Sequence, residues 1–123
     1  HIAGYSADGK ANGTAMAVQA LSRFFNLDLE DWEPENIPLP EKTTIMIDCK
    51  HMDVEDILGE AILFTYQVEL DDKRLRASVE TFEKQRGNYP LRREFPAFTV
   101  RLMNEHSGVR QLLMKMGFRV EQE

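Results

Sequence analysis

The cysteine of this 123-residue chain stands two positions before a histidine, in the stretch TTIMIDCKHMD of residues 43–53. A thiolate beside an imidazole base is an activated nucleophile, and the same two side chains are also zinc ligands. The alternation in this stretch predicts a strand in which Cys49 and His51 share a face with Ile45 and Ile47. Their Cβ atoms would then lie about 6.5–7 Å apart, too far for a thiol–imidazole hydrogen bond. We therefore expect Cys49 to fill the core, and we keep His51 as a candidate binding or titrating residue.

The other potential bases and metal ligands are scattered along the chain. His106 is the remaining histidine that could approach Cys49, since we give His1 no functional weight. Four acidic residues lie close together in the sequence: Asp48, Asp53, Glu55 and Asp56. Their spacing is not that of an EF-hand, and acids at the start of a helix already serve as cap and dipole partners. We therefore predict no metal site, no cofactor and no catalytic residue.

The net charge of −6 is distributed unevenly along the chain. Residues 1–61 carry 4 Lys/Arg and 12 Asp/Glu, whereas residues 62–123 carry 11 and 9. An acidic chain is a poor general ligand for nucleic acid, and its unequal halves favour contacts between acidic and basic faces. The single cysteine and the short apolar runs predict a cytoplasmic globular protein without a membrane span.

The first third of the chain predicts one helix between two irregular segments. Residues 1–12 are rich in glycine and polar residues, which predicts a flexible lead-in. The stretch TAMAVQALSRFF has helical apolar spacing, with Asn12 or Thr14 available as N-cap. Residues 28–42 are acidic and proline-rich, which predicts a loop whose Trp32 is a candidate for docking a partner.

The middle of the chain predicts a short helix and then a hairpin. Asp53 is a suitable N-cap for the helix, and Gly59 is expected to end it. Apolar residues then alternate from Ile62 to Leu70 and again after the polar turn DDK, which is typical of an antiparallel hairpin. Residues 73–86 also fit helical spacing, so that both alternatives stay open there.

The last third predicts a strand or helix at residues 97–103, then a helix and a short strand. The final helix has Ser107 as its expected cap and Gly117 as its expected end. Its apolar stripe consists of Val109, Leu112, Leu113 and Met116.

This order of elements resembles the C-terminal end of the GNAT family of acyl-CoA N-acyltransferases. The matching features are a strand from Val100 to Met103, the following Asn104, the helix, and a Gly117-Phe118 pair before the last strand. The resemblance implies an acyl-CoA-dependent acyltransferase. The sequence departs from that family at the phosphate-cradling loop, where QRGNYP replaces [QR]-x-x-G-x-[GA].

A further alternative is a helix-turn-helix within residues 92–117. In that interpretation the second helix faces DNA, and Arg92, Arg93 and Arg101 contact phosphates. The acidic balance of the chain disfavours this function.

We predict one α+β domain over residues 1–123, with a mainly antiparallel sheet of three to five strands and two or three helices packed on one face. The exposed edge of such a sheet favours a homodimer. Because each candidate catalytic pattern has a structural explanation, the leading hypothesis is a small non-enzymatic binding or regulatory module that acts through protein partners or self-association.

Overall fold

A computed structural model describes residues 4–121 of the chain, so His1 lies outside the described residues. Within these described residues, five helices and three strands follow one another, with short 3-10 turns at Val79–Thr81 and Phe95–Ala97. In chain order they are α1 (Ala7–Phe25), β1 (Thr44–Asp48), α2 (Val54–Thr65), α3 (Val68–Ala77), α4 (Phe82–Gly87), β2 (Thr99–Met103), α5 (Val109–Met116) and β3 (Arg119–Glu121). None of the helices in this part of the chain combines the length and apolar character that crossing a membrane requires.

The three strands form one parallel sheet in the order β1-β2-β3. Ile45 lies opposite Val100, which in turn lies opposite Val120. The predictions of a mainly antiparallel sheet and of two or three helices are therefore wrong, since residues 4–121 contain five helices. Parallel neighbours need long crossover connections, which here run through α2, α3 and α4 between β1 and β2, and through α5 between β2 and β3.

The predicted hairpin is helical, because its sequence carries stabilising pairs at helical spacing. Asp53 caps α2 by accepting a hydrogen bond from the Asp56 N–H at 2.8 Å, as expected. The helix continues through Gly59 to Thr65, and two side chains at i, i+4 spacing, Ile57 and Ala61, are fully buried. In α3, ion pairs join Glu69 to Lys73, Asp71 to Arg74 and Asp72 to Arg76. Pairs three or four residues apart favour a helix over a strand.

The core lies on one face of the sheet. Ile45, Ile47 and Cys49 project inward from β1 and its end, as the alternation predicts. They pack with the inward residues of β2, which confirms its strand alternative, and with buried residues of α2 and α5: Val100, Leu102, Ile57, Ala61, Val109 and Leu113. The opposite face of the sheet exposes Met46, Arg101 and Arg119.

Residues 7–12, predicted as part of a flexible lead-in, form the first turns of α1. The cap is Ser6, whose buried hydroxyl accepts a hydrogen bond from the Gly9 N–H at 2.9 Å, and not Asn12 or Thr14. The helix ends at Asn26, which adopts a left-handed conformation with φ of 53°. Because Ser6 caps the helix before the apolar repeat begins, the helix is about two turns longer than the repeat alone indicates.

The C-terminal helix and strand agree with expectation, apart from the N-cap and from Leu112 of the predicted apolar stripe, which is exposed. Gly108, with φ of 91°, occupies the N-cap position of α5 instead of Ser107. Gly117 ends the helix with φ of 105°, a left-handed conformation that favours glycine. β3 follows directly and pairs with β2.

Candidate functional site at the carboxyl ends of the strands

The carboxyl ends of β1 and β2 bring two polar side chains together. Asp48 is the last residue of β1, and Asn104 follows the last residue of β2. The Asn104 amide donates to Asp48 Oδ1 at 2.7 Å, and the Lys50 N–H donates to the same oxygen at 3.1 Å. These hydrogen bonds, the one from Asn104 above all, lower the pKa of the Asp48 carboxyl below its usual value. Ligands of parallel sheets bind at this end of the strands, which makes this edge the candidate site.

Cys49 is held at the inner side of this edge. Its N–H donates to the Met103 carbonyl at 2.9 Å, which extends the pairing of β1 with β2, and its side chain is fully buried. Burial raises the pKa of the Cys49 thiol, and the nearby Asp48 carboxylate adds to the effect. The thiol is therefore protonated at neutral pH and has the character of a core side chain rather than of a nucleophile.

His106 approaches the cysteine segment, but it contacts backbone and not the thiol. Its Nε2 lies 2.9 Å from the Cys49 carbonyl and 3.0 Å from the Met52 carbonyl. Both partners are acceptors, so Nε2 carries a hydrogen and donates to them. His106 thus ties the loop after β2 to the loop after β1. Cys49 and His106 therefore do not form a sulfur–imidazole dyad.

His51 lies in the turn between these two carbonyls. Its backbone is left-handed, with φ of 67°, and the residue is exposed. A hydrogen bond from the Met52 N–H to the Cys49 carbonyl, at 3.1 Å, closes the turn. The strand therefore ends before His51. In a continuous strand His51 would share a face with Cys49, but in this turn it does not.

The edge brings together Asp48, Asn104 and His106, of which only His106 is a predicted site residue. The sequence points to Asp48 only as a potential cation ligand, and to Asn104 only through the acyltransferase resemblance. Their position directly at the ends of two strands is the signal that finds them, but it requires knowing that the strands are parallel. Across residues 4–121, no group of three or more His, Cys, Asp or Glu side chains is arranged to hold a metal ion.

Arg93 lies away from this edge and joins three segments of the chain. Its guanidinium donates to Asp8 at 2.8 and 3.0 Å and to the carbonyls of Ile37 and Pro38. Burial alone would raise the pKa of Asp8. The hydrogen bonds from Arg93 and from the Glu94 N–H outweigh burial and lower it. The ion pair holds the start of α1 and the proline-rich loop together.

The other predicted basic and aromatic residues also make internal contacts. The Arg92 guanidinium lies over the Tyr66 ring at 4.3 Å, and Arg101 pairs with Glu121 across β2 and β3. The Trp32 carbonyl accepts a hydrogen bond from Gln19 of α1 at 3.1 Å. The helix-turn-helix prediction is wrong, because Arg101 lies in a strand where that motif needs a helix.

A second polar cluster lies beside a cleft of 570 Å³ between α3 and α4. The Tyr89 hydroxyl donates to the Asp71 carboxylate at 2.6 Å, and Arg74 donates to the same carboxylate. Burial first, and then the bond to Asp71, raise the pKa of Tyr89 far above its ordinary value. The hydroxyl therefore stays protonated and joins α3 to the segment after α4.

Comparison with known proteins decides the family. Residues 37–117, about two thirds of the chain, match the family model described as "Domain of unknown function (DUF3410)". The chain belongs to this family. The match begins after α1 and ends at Gly117, the C-cap of α5, so it includes the Asp48–Asn104 edge.

Curated relatives carry the name erythronate-4-phosphate dehydrogenase. The chain is 41% identical over 100 residues to such a protein from Bacteroides thetaiotaomicron, and that match covers 81% of the chain and 26% of the relative. The figures for the relative from Porphyromonas gingivalis are the same. A relative from Pseudomonas putida is 34% identical over 125 residues, covering 95% of the chain and 33% of the relative. The chain thus spans about a quarter to a third of the length of these relatives.

These relatives overturn the prediction of a non-enzymatic interaction module, since they are named as an enzyme. The acyltransferase alternative is wrong for the same reason. The resemblance rested on a strand, a helix and a Gly-Phe pair, which are elements common to many parallel sheets. The comparisons give the predicted homodimer no support, and the expectation of a protein partner stays a prediction.

Proposed function

We propose that this chain is one part of an erythronate-4-phosphate dehydrogenase. The observation that carries the proposal is the 41% identity over 100 residues to the Bacteroides thetaiotaomicron protein of that name. That match extends over 81% of the chain, so it cannot be confined to one helix or one strand. The single buried Cys49 suits the reducing cytoplasm, where we propose that the enzyme works.

Oxidation of an alcohol carbon to a carbonyl needs an acceptor for the hydride and a base for the hydroxyl proton. Cys49 is a buried thiol with a raised pKa, and His106 holds its Nε2 hydrogen between two carbonyls. We therefore propose that the proton acceptor lies elsewhere than in the Cys49–His106 pair. In this proposal, Asp48, Asn104 and His106 shape the edge of the sheet that faces the rest of the enzyme's ligand-binding part.

Segment exchange tests the proposal directly. The matched segment of the Pseudomonas putida relative is replaced by this chain, and oxidation of erythronate 4-phosphate is measured by following the reduced acceptor. We expect the chimera to turn over erythronate 4-phosphate, whereas the relative with the segment deleted should not. The unchanged relative is the positive control. A chimera that is folded by circular dichroism but has no more activity than the deletion would contradict the proposal.

A further inference from the structure

The side of α1 that faces the rest of the chain is polar or small. Ser22 is fully buried, and its hydroxyl donates to the Leu27 carbonyl at 2.7 Å and accepts from the Leu29 N–H at 3.0 Å. Gln19 donates to the Trp32 carbonyl at 3.1 Å. The buried residues of the helix are Ala15 and Ser22. Hydrogen bonds, rather than contacts between large apolar side chains, attach this side of α1 to the rest of the described chain.

The start of α1 is attached in the same way. The Ala7 N–H donates to the Arg92 carbonyl at 2.8 Å, and Asp8 pairs with Arg93 and accepts from the Glu94 N–H. Both ends of the helix are therefore held in a defined orientation. The orientation leaves the remaining face of α1 pointing away from the rest of the described chain.

That outward face is apolar. Met16 is 69% exposed, Leu21 is 56% exposed and Phe24 is 78% exposed. At 100° per residue these side chains lie on one half of the helix, and the small residues Ala17 and Ala20 lie between them. An amphipathic surface helix normally turns such a face toward the core. In α1 the polarity is reversed, which is typical of a helix whose apolar partner is another body.

The comparisons provide a candidate for that body. The family model begins at residue 37, after α1, whereas the match to the Pseudomonas putida relative covers 95% of the chain and therefore includes the outward face of α1. The same match covers only 33% of that relative, so that two thirds of its length lies outside the match. α1 thus lies outside the residues that match the family model but within the segment that matches the relative, and most of that relative's polypeptide is outside the match.

We propose that the face formed by Met16, Leu21 and Phe24 docks on an apolar surface of that remainder within one dehydrogenase polypeptide. This inference rests on the proposed function, because the occupant is the rest of the enzyme. The docked surface is uncharged opposite the face, since a charge there would lose its hydration without gaining a partner. α1 then serves as the interface helix between the family unit and the rest of the enzyme.

Backbone hydrogen exchange in the Pseudomonas putida chimera, compared with the 123-residue chain alone, tests the docking. We expect amides of residues 16–25 to exchange at least about tenfold more slowly in the chimera, because docking adds to the local opening free energy. Equal exchange in the two proteins overturns the proposal. Slow exchange that appears in the chain alone, together with dimers in sedimentation, assigns the face to a second copy and also overturns it.

Substitution provides the matched control. Phe24→Asp should leave the thermal unfolding of the chain alone unchanged, because the ring is exposed, but should abolish the extra protection in the chimera. Phe24→Leu should keep it, and Met114→Glu, at an exposed position of α5, should have no effect on α1. Loss of protection with Met114→Glu as well as with Phe24→Asp would overturn the docking, since it would indicate general destabilisation.

The activity of the chimera separates this inference from the proposed function. An inactive chimera with protected α1 contradicts the assignment of the reaction and supports docking. An active chimera with unprotected α1 supports the assignment and overturns docking.

Discussion

α5 and α1 both carry an apolar stripe at helical spacing, yet they use it in opposite ways. α5 has eight residues and buries Val109 and Leu113 completely against the sheet. α1 has 19 residues, buries Ala15 and Ser22, and exposes its large apolar side chains. The periodicity of a sequence therefore predicts a helix and its apolar face, but not the body on which that face packs.

The largest expected effect comes from shortening a leucine in each stripe. Leu113→Ala should lower the free energy of unfolding of the chain by about 2–5 kcal/mol, because it leaves a cavity in the core. Leu21→Ala should change it by no more than about 0.5 kcal/mol, since the side chain is exposed. Urea unfolding followed by circular dichroism measures both. Equal losses in the two variants would show that α1 is packed as tightly as α5.

The attachment of α1 should depend on pH through Asp8. The folded pKa of Asp8 is lowered, so its stabilising contribution is complete above the ordinary pKa near 3.8 and is lost as pH falls toward the folded value. Asp8→Asn should cost about 1–3 kcal/mol at neutral pH and should flatten the acid side of the stability profile.

The control for this variant is Asp28→Asn, at an exposed position of the proline-rich loop. The thermal unfolding of both variants is measured between about pH 3 and pH 7, a range that includes the ordinary pKa of aspartate. A profile of Asp8→Asn that is parallel to the unsubstituted chain would rule out the Asp8–Arg93 pair as the source of the pH dependence.

The buried hydroxyl of α1 should contribute less than a core leucine of α5. Ser22→Ala leaves the Leu29 N–H without its acceptor, which should cost about 1–2 kcal/mol. Ser107→Ala, before α5, should be nearly neutral because Ser107 is exposed and Gly108 occupies the cap position. Chemical denaturation distinguishes them, and a Ser107 effect as large as that of Ser22 would contradict the hydrogen-bond argument.

The smallest expected effects are at the C-terminal ends of the two helices. Gly117→Ala should cost about 1 kcal/mol, because alanine is strained at a φ of 105° while its Cβ would make only ordinary contact with Pro96. Asn26→Gly, at the left-handed end of α1, should raise the free energy of unfolding of the chain by about a few tenths of a kcal/mol. Melting temperatures measure both changes, and a neutral Gly117→Ala would refute a role for backbone strain in ending α5.

Several elements were predictable because their signals are local. Asp53 caps α2, Gly117 ends α5, and Ile45, Ile47 and Cys49 share the buried face of β1, all as the residue types and spacings indicate. The hairpin prediction failed because apolar alternation from Ile62 to Leu70 competed with helix-stabilising charge pairs further on. The next strand must lie beside β1 in a parallel orientation, which requires a long crossover connection. This crossover decides whether the strand signal or the helix signal prevails.

The candidate site shows the same division. Cys49 was correctly placed in the core by counting faces, but the pairing of Asp48 with Asn104 joins residues 56 positions apart. The contact of His106 with the Cys49 carbonyl, across 57 positions, is equally non-local. Neither contact is encoded in a short spacing, and both follow from two parallel strands ending at one edge.

Local chemistry in the sequence determined the N-cap of α2, the glycine that ends α5, the buried face of β1, and the separation of acidic and basic residues. Only the tertiary structure decided that the strands run parallel, that His106 binds backbone instead of sulfur, and that α1 turns its apolar face outward. The physical reason is that caps and alternation are set by neighbours a few residues apart. Strand direction and the partner of a helix face are set by contacts between distant segments, which sequence spacing does not record.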